Sequence, residues 1–411
     1  MKKQRTLSII LILALLCGAL FTGCGEKEAE TVTPSSEKEA ETVTPGGEKE
    51  AETITLGWIG PLTGDMTIWG TAEMQAITMA IEEINEEGGI LGKQVELKTY
   101  DNRGDAVETT NAAKKAIQQD GCIALFGCNA SSAAIALSEV CTELKIPQIA
   151  TTATNSKLTQ NDDGTVHPYT FRVCLSDPQM GDVMAQYAFK EMGLRKVAII
   201  YEIGSDYSLG VTQNFTDSFT NCGGEIVISE AYNTGDVDFR AQLTKIAQAD
   251  FDALFIPANY KEVGLVANQA RSMGITQQLI GPDAWQVDDL FDLAAEAMEG
   301  GYFVSGTDIT SESLKGFGDK FKERWDYYPS EVGTNAYFAT DAFIMLKSAI
   351  EAAGSVDPEA IRDELEKTTD LQCLTSKITV MPENHNPLRS ATIFTIKDSS
   401  FVHVTEFEIT E

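Results

Sequence analysis

The stretch A-L-F-G-C-N-A-S-S-A-A-I-A-L-S-E-V, residues 124–140, passes from an apolar strand through small polar residues directly into an alanine-rich helix. A buried strand followed at once by a helix is half of a βαβ unit and indicates an α/β fold. The first N–H groups of such a helix have no partner within it and lie at the positive end of its dipole. The turn therefore predicts either an anion site or a cap from Ser131 or Ser132, and capping is the commoner role of serine there.

The same alternation of strand and helix continues in two sets, each of which predicts a mostly parallel sheet. The first set has strands at residues 53–59, 94–100, 123–126 and 147–150 and helices at 71–87, 106–119 and 131–144. The second set has strands at 197–201, 225–232, 253–256 and 278–280 and helices at 178–192, 207–221, 239–248 and 261–273. Two Rossmann-like lobes are therefore expected.

The end of the chain changes this pattern. Residues 314–327, 332–352 and 358–365 are predicted helices, and 390–396 with 401–407 form a predicted hairpin. Three helices without strands between them cannot make a third α/β domain, so they are expected to cover the two sheets already formed. The chain is then predicted to cross between lobes three times, near residues 172–177, 306–309 and 381–386.

Composition excludes several classes of partner. The chain has 411 residues, 43% of them hydrophobic, and a formal net charge of −31. It is long enough to bury one large core or two moderate ones. Nucleic acids and anionic membrane surfaces are recognised by clustered Lys and Arg, so we expect neither as a partner.

The N-terminus is typical of an exported protein. Basic residues precede an apolar run at residues 7–20 that is too short to span a bilayer comfortably, which predicts a signal peptide over 1–23. The segment is similar to a bacterial lipoprotein signal, which implies lipid on the thiol of Cys24. A soluble secreted protein with Cys24 as an ordinary thiol is the alternative. Residues 24–52 repeat Glu, Lys, Thr and Pro and predict a disordered acidic linker.

The sequence offers little for metal or histidine chemistry. The cysteines after Cys24 have neither CxxC nor Cys–His spacing, and we expect buried free thiols. The chain has three histidines, of which His167 and His385 lie in polar turns that predict exposure to solvent. We therefore expect no metal site, no cofactor and no enzyme activity.

Polar and aromatic residues follow several predicted strands, at the edge where open α/β sheets bind ligands. Hydroxyls and N–H groups from the first set are suited to a carboxylate, an aspartate from the second set to an ammonium, and aromatic residues to a side chain. The residues are Trp69, Ser131, Thr152, Thr154, Tyr207, Tyr260 and Asp283. Together they predict a site for a free amino acid.

Five segments in order resemble one family. They are residues 53–64, I-E-E-I-N-E-E-G-G-I-L-G, I-A-T-T-A-T-N-S-K-L, Y-E-I-G-S-D-Y-S-L-G, and N-Q-A-R-S-M-G-I followed by G-P-D-A-W. The chain from residue 53 to its end resembles the type I solute-binding proteins of branched-chain amino acid ABC transporters.

The resemblance implies a two-lobed clamp with a three-strand hinge, a first lobe of residues 53–174 and 308–382, and a second lobe of 175–307 and 383–411. It implies that Ser131 and Thr154 contact the ligand carboxylate and amine, that Thr152 contributes through its backbone, and that Asp283 pairs with the ammonium. Aromatic contacts carried over by position are Trp69, Tyr207 and Tyr260. Ser132 and Ala284 stand where the family often has glycine, and both are expected to reshape the pocket.

The resemblance also implies a function. The chain is expected to be a monomeric lipoprotein on the outer face of the bacterial cell membrane that captures an amino acid, branched-chain or otherwise aliphatic, and delivers it to the permease of an ABC importer. Three alternatives remain open. The first is a ligand without an α-amino group, such as an amide, urea or aromatic acid, and the second is a sensor that reports its ligand to a signalling protein. The third is a hydrolase that uses Ser131, although no nearby motif supplies a histidine or lysine as its general base.

Overall fold

The computed structural model describes residues 53–407. The predicted signal peptide, Cys24 and the predicted linker lie outside the described residues. Among the helices that are described, none combines the length and the apolar character needed to cross a membrane.

The described chain alternates strands and helices for most of its length. The strands are β1 (Ile54–Gly60), β2 (Val95–Asp101), β3 (Leu125–Gly127), β4 (Gln148–Ala150), β5 (Thr170–Arg172), β6 (Lys196–Glu202), β7 (Glu225–Tyr232), β8 (Ala253–Phe255), β9 (Gln278–Gly281), β10 (Tyr302–Ser305), β11 (Leu371–Gln372), β12 (Lys377–Ile378), β13 (Ala391–Lys397) and β14 (Ser400–Phe407). The helices are α1 (Thr67–Glu86), α2 (Ala106–Gln118), α3 (Ser131–Leu144), α4 (Asp177–Gln186), α5 (Asp206–Asn221), α6 (Arg240–Ile246), α7 (Tyr260–Ser272), α8 (Asp289–Met298), α9 (Lys315–Trp325), α10 (Asn335–Ala353) and α11 (Pro358–Glu366).

The first lobe is built on a parallel sheet in the order β2-β1-β3-β4-β5. Its inner strands β3 and β4 have three residues each and are buried along their whole length, as expected where helices cover both faces. Helix α10 packs against α1 on one face although some 250 residues separate them in sequence. This explains the late helices, because α10 supplies a layer that the first lobe needs.

The second lobe is built on a sheet in the order β14-β13-β10-β9-β8-β6-β7. Strands β6 to β10 run parallel, and the C-terminal hairpin of β13 and β14 adds two antiparallel strands at one edge. The fold is thus the predicted α/β type, with parallel-sheet cores in two lobes. The chain passes between the sheets after β5, after β10 and before β13, near the three predicted crossings; the exact lobe limits stay a prediction.

A buried ion pair holds the third crossing in place. The side chains of Arg389 and Asp341 are 1% and 0% exposed, with Nη1 and Oδ2 3.8 Å apart. Arg389 also donates to the carbonyl of Val173 in the first crossing and to Thr375 Oγ1. The Asp341 carboxylate accepts the N–H groups of the loop at residues 374 and 375. Two crossings are therefore tied to α10 through one guanidinium.

Some sequence predictions differ from the structure. The three-residue strand β5, the four-residue strand β10 and the ten-residue helix α8 were not predicted. The expectation that His385 is exposed is wrong: it is 3% exposed and stacks on Phe171 with ring centroids 4.3 Å apart. Its turn folds back onto β5, where Nδ1 lies 3.0 Å from the Thr170 carbonyl oxygen, and burial lowers the pKa of the imidazole. The six described cysteines are unpaired, and all but Cys222 are buried.

Candidate functional site

A cavity lies between the lobes at the carboxyl ends of both sheets. In the first sheet the chain turns to opposite sides after β1 and β3, and in the second after β6 and β8, so that each sheet has a topological switch point there. The cavity holds about 670 Å³ of empty space, counting the part open to solvent.

The first lobe lines the cavity with residues that follow its strands, and with the start of α10. Its principal contributions are Trp69, Asn129, Ser131, Ser132, Thr152 and Asn335. Ser131 is the first residue of α3, so the free N–H groups of that helix end at the cavity wall. No side chain caps α3, so the expectation that Ser131 or Ser132 serves only as a cap is wrong. Instead Ser131 Oγ accepts the N–H of Asn155 at 3.3 Å, which leaves its own hydrogen to donate.

The second lobe lines the opposite wall. Its contributions are Ser205, Asp206, Tyr207, Asn259, Asp283 and Gln286. The Tyr207 hydroxyl donates to Asp283 Oδ1 at 2.8 Å. Burial raises the pKa of Asp283 to about 6, and the bond from Tyr207 partly opposes this rise. At neutral pH Asp283 is therefore mostly ionised and can pair with a cation.

A buried carboxyl group organises the first-lobe wall from behind. Glu73 on α1 is 0% exposed, and its Oε1 accepts from Asn129 Nδ2 at 2.7 Å and from the Thr152 hydroxyl at 2.9 Å. Trp58 Nε1 donates to Oε2 at 3.4 Å. Burial raises the pKa of Glu73 to about 7 despite these donors. Because the Thr152 hydroxyl donates its hydrogen to Glu73, only the backbone N–H of Thr152 can donate to a ligand anion.

A second buried layer supports the loop after β4. Arg172 is 0% exposed and donates to the carbonyls of residues 153, 154 and 155, the last from Nη2 at 2.6 Å. Burial raises the pKa of the neighbouring Asp177 to about 7, with the Thr154 hydroxyl and Arg172 beside it. A β-carbon on Gly210 would lie 1.9 Å from Asp177 Oδ2 and 2.6 Å from Asn155 Nδ2, so both side chains would have to shift to accommodate it.

Contacts across the cleft show that the two lobes are closed on one another. Asn155 Nδ2 of the first lobe donates to the Asp206 carbonyl of the second at 2.7 Å. Trp69 and Tyr260 meet edge to face, with ring centroids 5.5 Å apart. At the rim, Asp65 Oδ1 and Lys261 Nζ are 2.7 Å apart. The exposed ion pair contributes little to stability, so the closed state is stabilised mainly by the aromatic contact and the partly buried hydrogen bond.

Five of the seven residues predicted for the site line one cavity: Trp69, Ser131, Thr152, Tyr207 and Asp283. Thr154 and Tyr260 do not line it. Thr154 lies behind the wall beside Asp177, and Tyr260 is 4% exposed and packs against Trp69. Their direct contact with a ligand stays a prediction.

Comparison with known proteins assigns the fold to a family. A family model described as "Periplasmic binding protein" matches residues 53–400. The chain belongs to this family. Membership implies a location outside the cytoplasm, and the family is one of solute-binding proteins.

Relatives of this periplasmic binding protein have amino acid ligands in their names. The chain is 31% identical to the Leu/Ile/Val-binding protein BraC3 of Rhizobium johnstonii over 327 residues, which cover 79% of this chain and 86% of the relative. It is 25% identical to the leucine-, isoleucine-, valine-, threonine- and alanine-binding protein of Pseudomonas aeruginosa, over 75% of this chain and 81% of the relative.

Solved structures match the described lobes. The isoleucine complex of the branched-chain amino acid substrate-binding protein LivJ from Streptococcus pneumoniae has a TM-score of 0.76 at 30% identity and covers 86% of this chain and all of its own. A solute-binding protein of Rhodopseudomonas palustris in complex with benzoate has the same TM-score at 20% identity, covering 86% of this chain and 96% of its own. The second likeness shows the fold alone.

Sequence reasoning missed several residues of the site in this binding protein. Glu73 carried a usable signal, because it lies four residues from both Trp69 and Ile77 and so shares the apolar face of α1. A carboxylate on such a face indicates a buried polar network. Asn335 and Gln286 carried none: they reach the cavity from a remote helix and from the turn after β9.

Proposed function

We propose that this protein captures a free L-amino acid between its lobes and delivers it to the permease of an ABC importer. The observation that carries the proposal is that Asp283 of the second lobe and the N-terminus of α3 in the first lobe line the same cavity. None of the described residues lining that cavity is Lys or Arg. One wall thus suits a cation and the other an anion held by neutral donors.

The carboxylate of the ligand binds at the N-terminus of α3. Unpaired N–H groups and the helix dipole favour a negative charge there. The Ser131 hydroxyl adds a donor, since its oxygen already accepts from Asn155. The backbone at Thr152 supplies a further N–H, while its side chain remains bonded to Glu73.

The ammonium of the ligand pairs with Asp283. The hydrogen bond from Tyr207 to one carboxylate oxygen fixes the orientation of the Asp283 side chain. A buried ammonium needs a charged or strongly accepting partner, since leaving it unpaired costs several kcal/mol, roughly. Trp69 provides apolar surface for part of the ligand's side chain, and the amino acids in the relatives' names are leucine, isoleucine, valine, alanine and threonine.

Binding drives closure, because each lobe holds only half of the site. In the open state each half-site is solvated, and only a molecule that touches both lobes favours the closed state. The bond from Asn155 to Asp206 and the contact of Trp69 with Tyr260 form only on closure.

We also propose that Cys24 carries lipid, that the protein is anchored as a monomer to the outer face of the membrane, and that it is not an enzyme. The lipid proposal is supported by the sequence at residues 1–24. Against catalysis, Ser131 accepts from an N–H group, and no His lines the described cavity to act as a base.

Titration calorimetry tests the proposal. The full chain is purified in detergent, freed of bound ligand by unfolding and refolding, and titrated with each of the twenty amino acids, benzoate and urea. We expect micromolar or tighter binding of at least one amino acid. Binding of benzoate or urea alone, or no binding of any amino acid at millimolar concentration, would overturn the proposal. Chemical change of a bound amino acid during incubation would contradict the non-enzymatic role.

A further inference from the structure

Several amide side chains line the cavity. Asn129, Asn335 and Gln286 line it together with Thr334, whereas the apolar lining comes from Met66, Trp69 and two alanines. Asn129 and Gln286 are 8% and 1% exposed. Burying polar groups costs free energy unless they are paired, so an aliphatic ligand is poorly matched to this lining.

The orientation of the Asn129 amide is fixed by its neighbours. Its Nδ2 donates to Glu73 Oε1 at 2.7 Å and to Asn335 Oδ1 at 3.0 Å. The Asn335 amide cannot turn round without losing the bond from its own Nδ2 to the Val332 carbonyl. Asn129 Oδ1 is consequently left as a buried acceptor without a hydrogen-bond partner.

Gln286 from the second lobe offers the complementary group. Its Oε1 accepts from Ser305 Oγ at 2.8 Å, and its Nε2 has no partner. Its backbone carbonyl lies against Gly333, two residues from Asn335, and the side chains of Gln286, Asn335 and Asn129 line the same cavity. One lobe thus presents an unused acceptor and the other an unused donor.

We propose that the ligand is a compact amino acid whose uncharged side chain carries a hydroxyl or carboxamide, selected by Asn129 and Gln286. This inference rests on the proposed function. A hydroxyl or a carboxamide both donates and accepts, so one group satisfies both amides and bridges the lobes. Acidic side chains are disfavoured because the described lining has no Lys or Arg, and Glu73 already accepts three donors and needs no cation.

Isosteric amino acids give the sharpest test, because threonine matches valine and asparagine matches leucine in shape. A site built for a hydrogen bond disfavours the analogue that lacks it, since its own polar groups are then left unpaired. We expect calorimetry on the refolded full chain to give a Kd about 10- to 100-fold lower for at least one polar member than for its apolar isostere. Equal or tighter binding of both valine and leucine would overturn the inference.

Asn129→Leu is the matching variant. We expect it to reduce the polar-to-apolar affinity ratio at least tenfold, about the value of one buried hydrogen bond. Asn268→Leu on the exposed face of α7 makes the same chemical change outside the cavity and is expected to leave the ratio unchanged. An unchanged polar-to-apolar affinity ratio in Asn129→Leu would contradict the role of Asn129 in selecting the ligand. If that variant does not fold, the wild-type ratios for threonine over valine and asparagine over leucine test the inference on their own. Failure of every amino acid to bind would instead defeat the proposed function.

Discussion

Replacing Asp283 by Asn tests the ammonium end of the site most directly. The two residues have nearly the same shape, and Asn still accepts from Tyr207, so the change removes charge and little else. At about 4 Å and an effective dielectric constant near 20, an ion pair is worth about 4 kcal/mol. The retained hydrogen bond and partial exposure of Asp283 reduce the expected loss to about 2–3 kcal/mol, or a 30- to 150-fold weaker Kd.

The pH profile separates loss of charge from general damage. Because Asp283 has a pKa of about 6 without ligand, wild-type affinity should fall about tenfold per pH unit below that value, as protonation removes the charge that pairs with the ammonium. The variant should show no such slope. Asp292→Asn, on the exposed surface of α8, serves as the matched control in calorimetry. A variant within threefold of wild type, with the same pH slope, would refute the pairing.

Three further predictions concern stability and closure. Arg389→Met should lower the free energy of unfolding by about 3–5 kcal/mol in urea titrations, because Asp341 is left charged and buried; a loss below 1 kcal/mol would contradict the ion pair. Because burial raises the pKa of Glu73 from 4.5 to about 7, protonation of Glu73 stabilises the folded state by about 3 kcal/mol at a pH below 4.5. This contribution is lost as the pH rises from 4.5 to about 7. Ligand-free protein should therefore melt at a higher temperature at pH 5 than at pH 8, and equal melting temperatures would contradict this. Gly210→Ala should weaken ligand affinity about tenfold, because its β-carbon would lie 2.6 Å from Asn155 Nδ2 and displace the hydrogen bond from Asn155 to Asp206 across the cleft. Small-angle scattering should then show a more open ligand-bound state, and an unchanged profile would argue against this.

The parts of the fold that repeat locally were predictable from sequence. The bounds of α3 and β7 agree with the prediction exactly, since periodicity, strand composition and flanking turns all lie within one short segment. The short strands β5 and β10 were not predictable, because their positions are set by pairing with neighbours already in the sheet. His385 was misjudged for the same reason: a polar turn gives no sign of the aromatic ring it packs against.

Site residues that directly follow strands were predictable from the sequence. Site residues that reach the cavity from elements distant in sequence were not. Ser131, Tyr207 and Asp283 follow strands in three different βα units, and sheet topology alone brings such residues together. Two amides that line the cavity were not predicted: Asn335 is in α10 and Gln286 is in the turn after β9. Their meeting with Asn129 depends on how the late helices cover the first lobe, which hydrophobic periodicity does not encode.

The order of the chain has a consequence for how the protein is made. The first lobe lacks the layer over α1 until residues 335–353 exist, and the second-lobe sheet lacks an edge until β13 and β14 are added. Neither lobe can therefore complete its packing until these late residues have been synthesised. A chain made only of the earlier residues would therefore expose the face of α1 and the edge of β10 that the late residues cover.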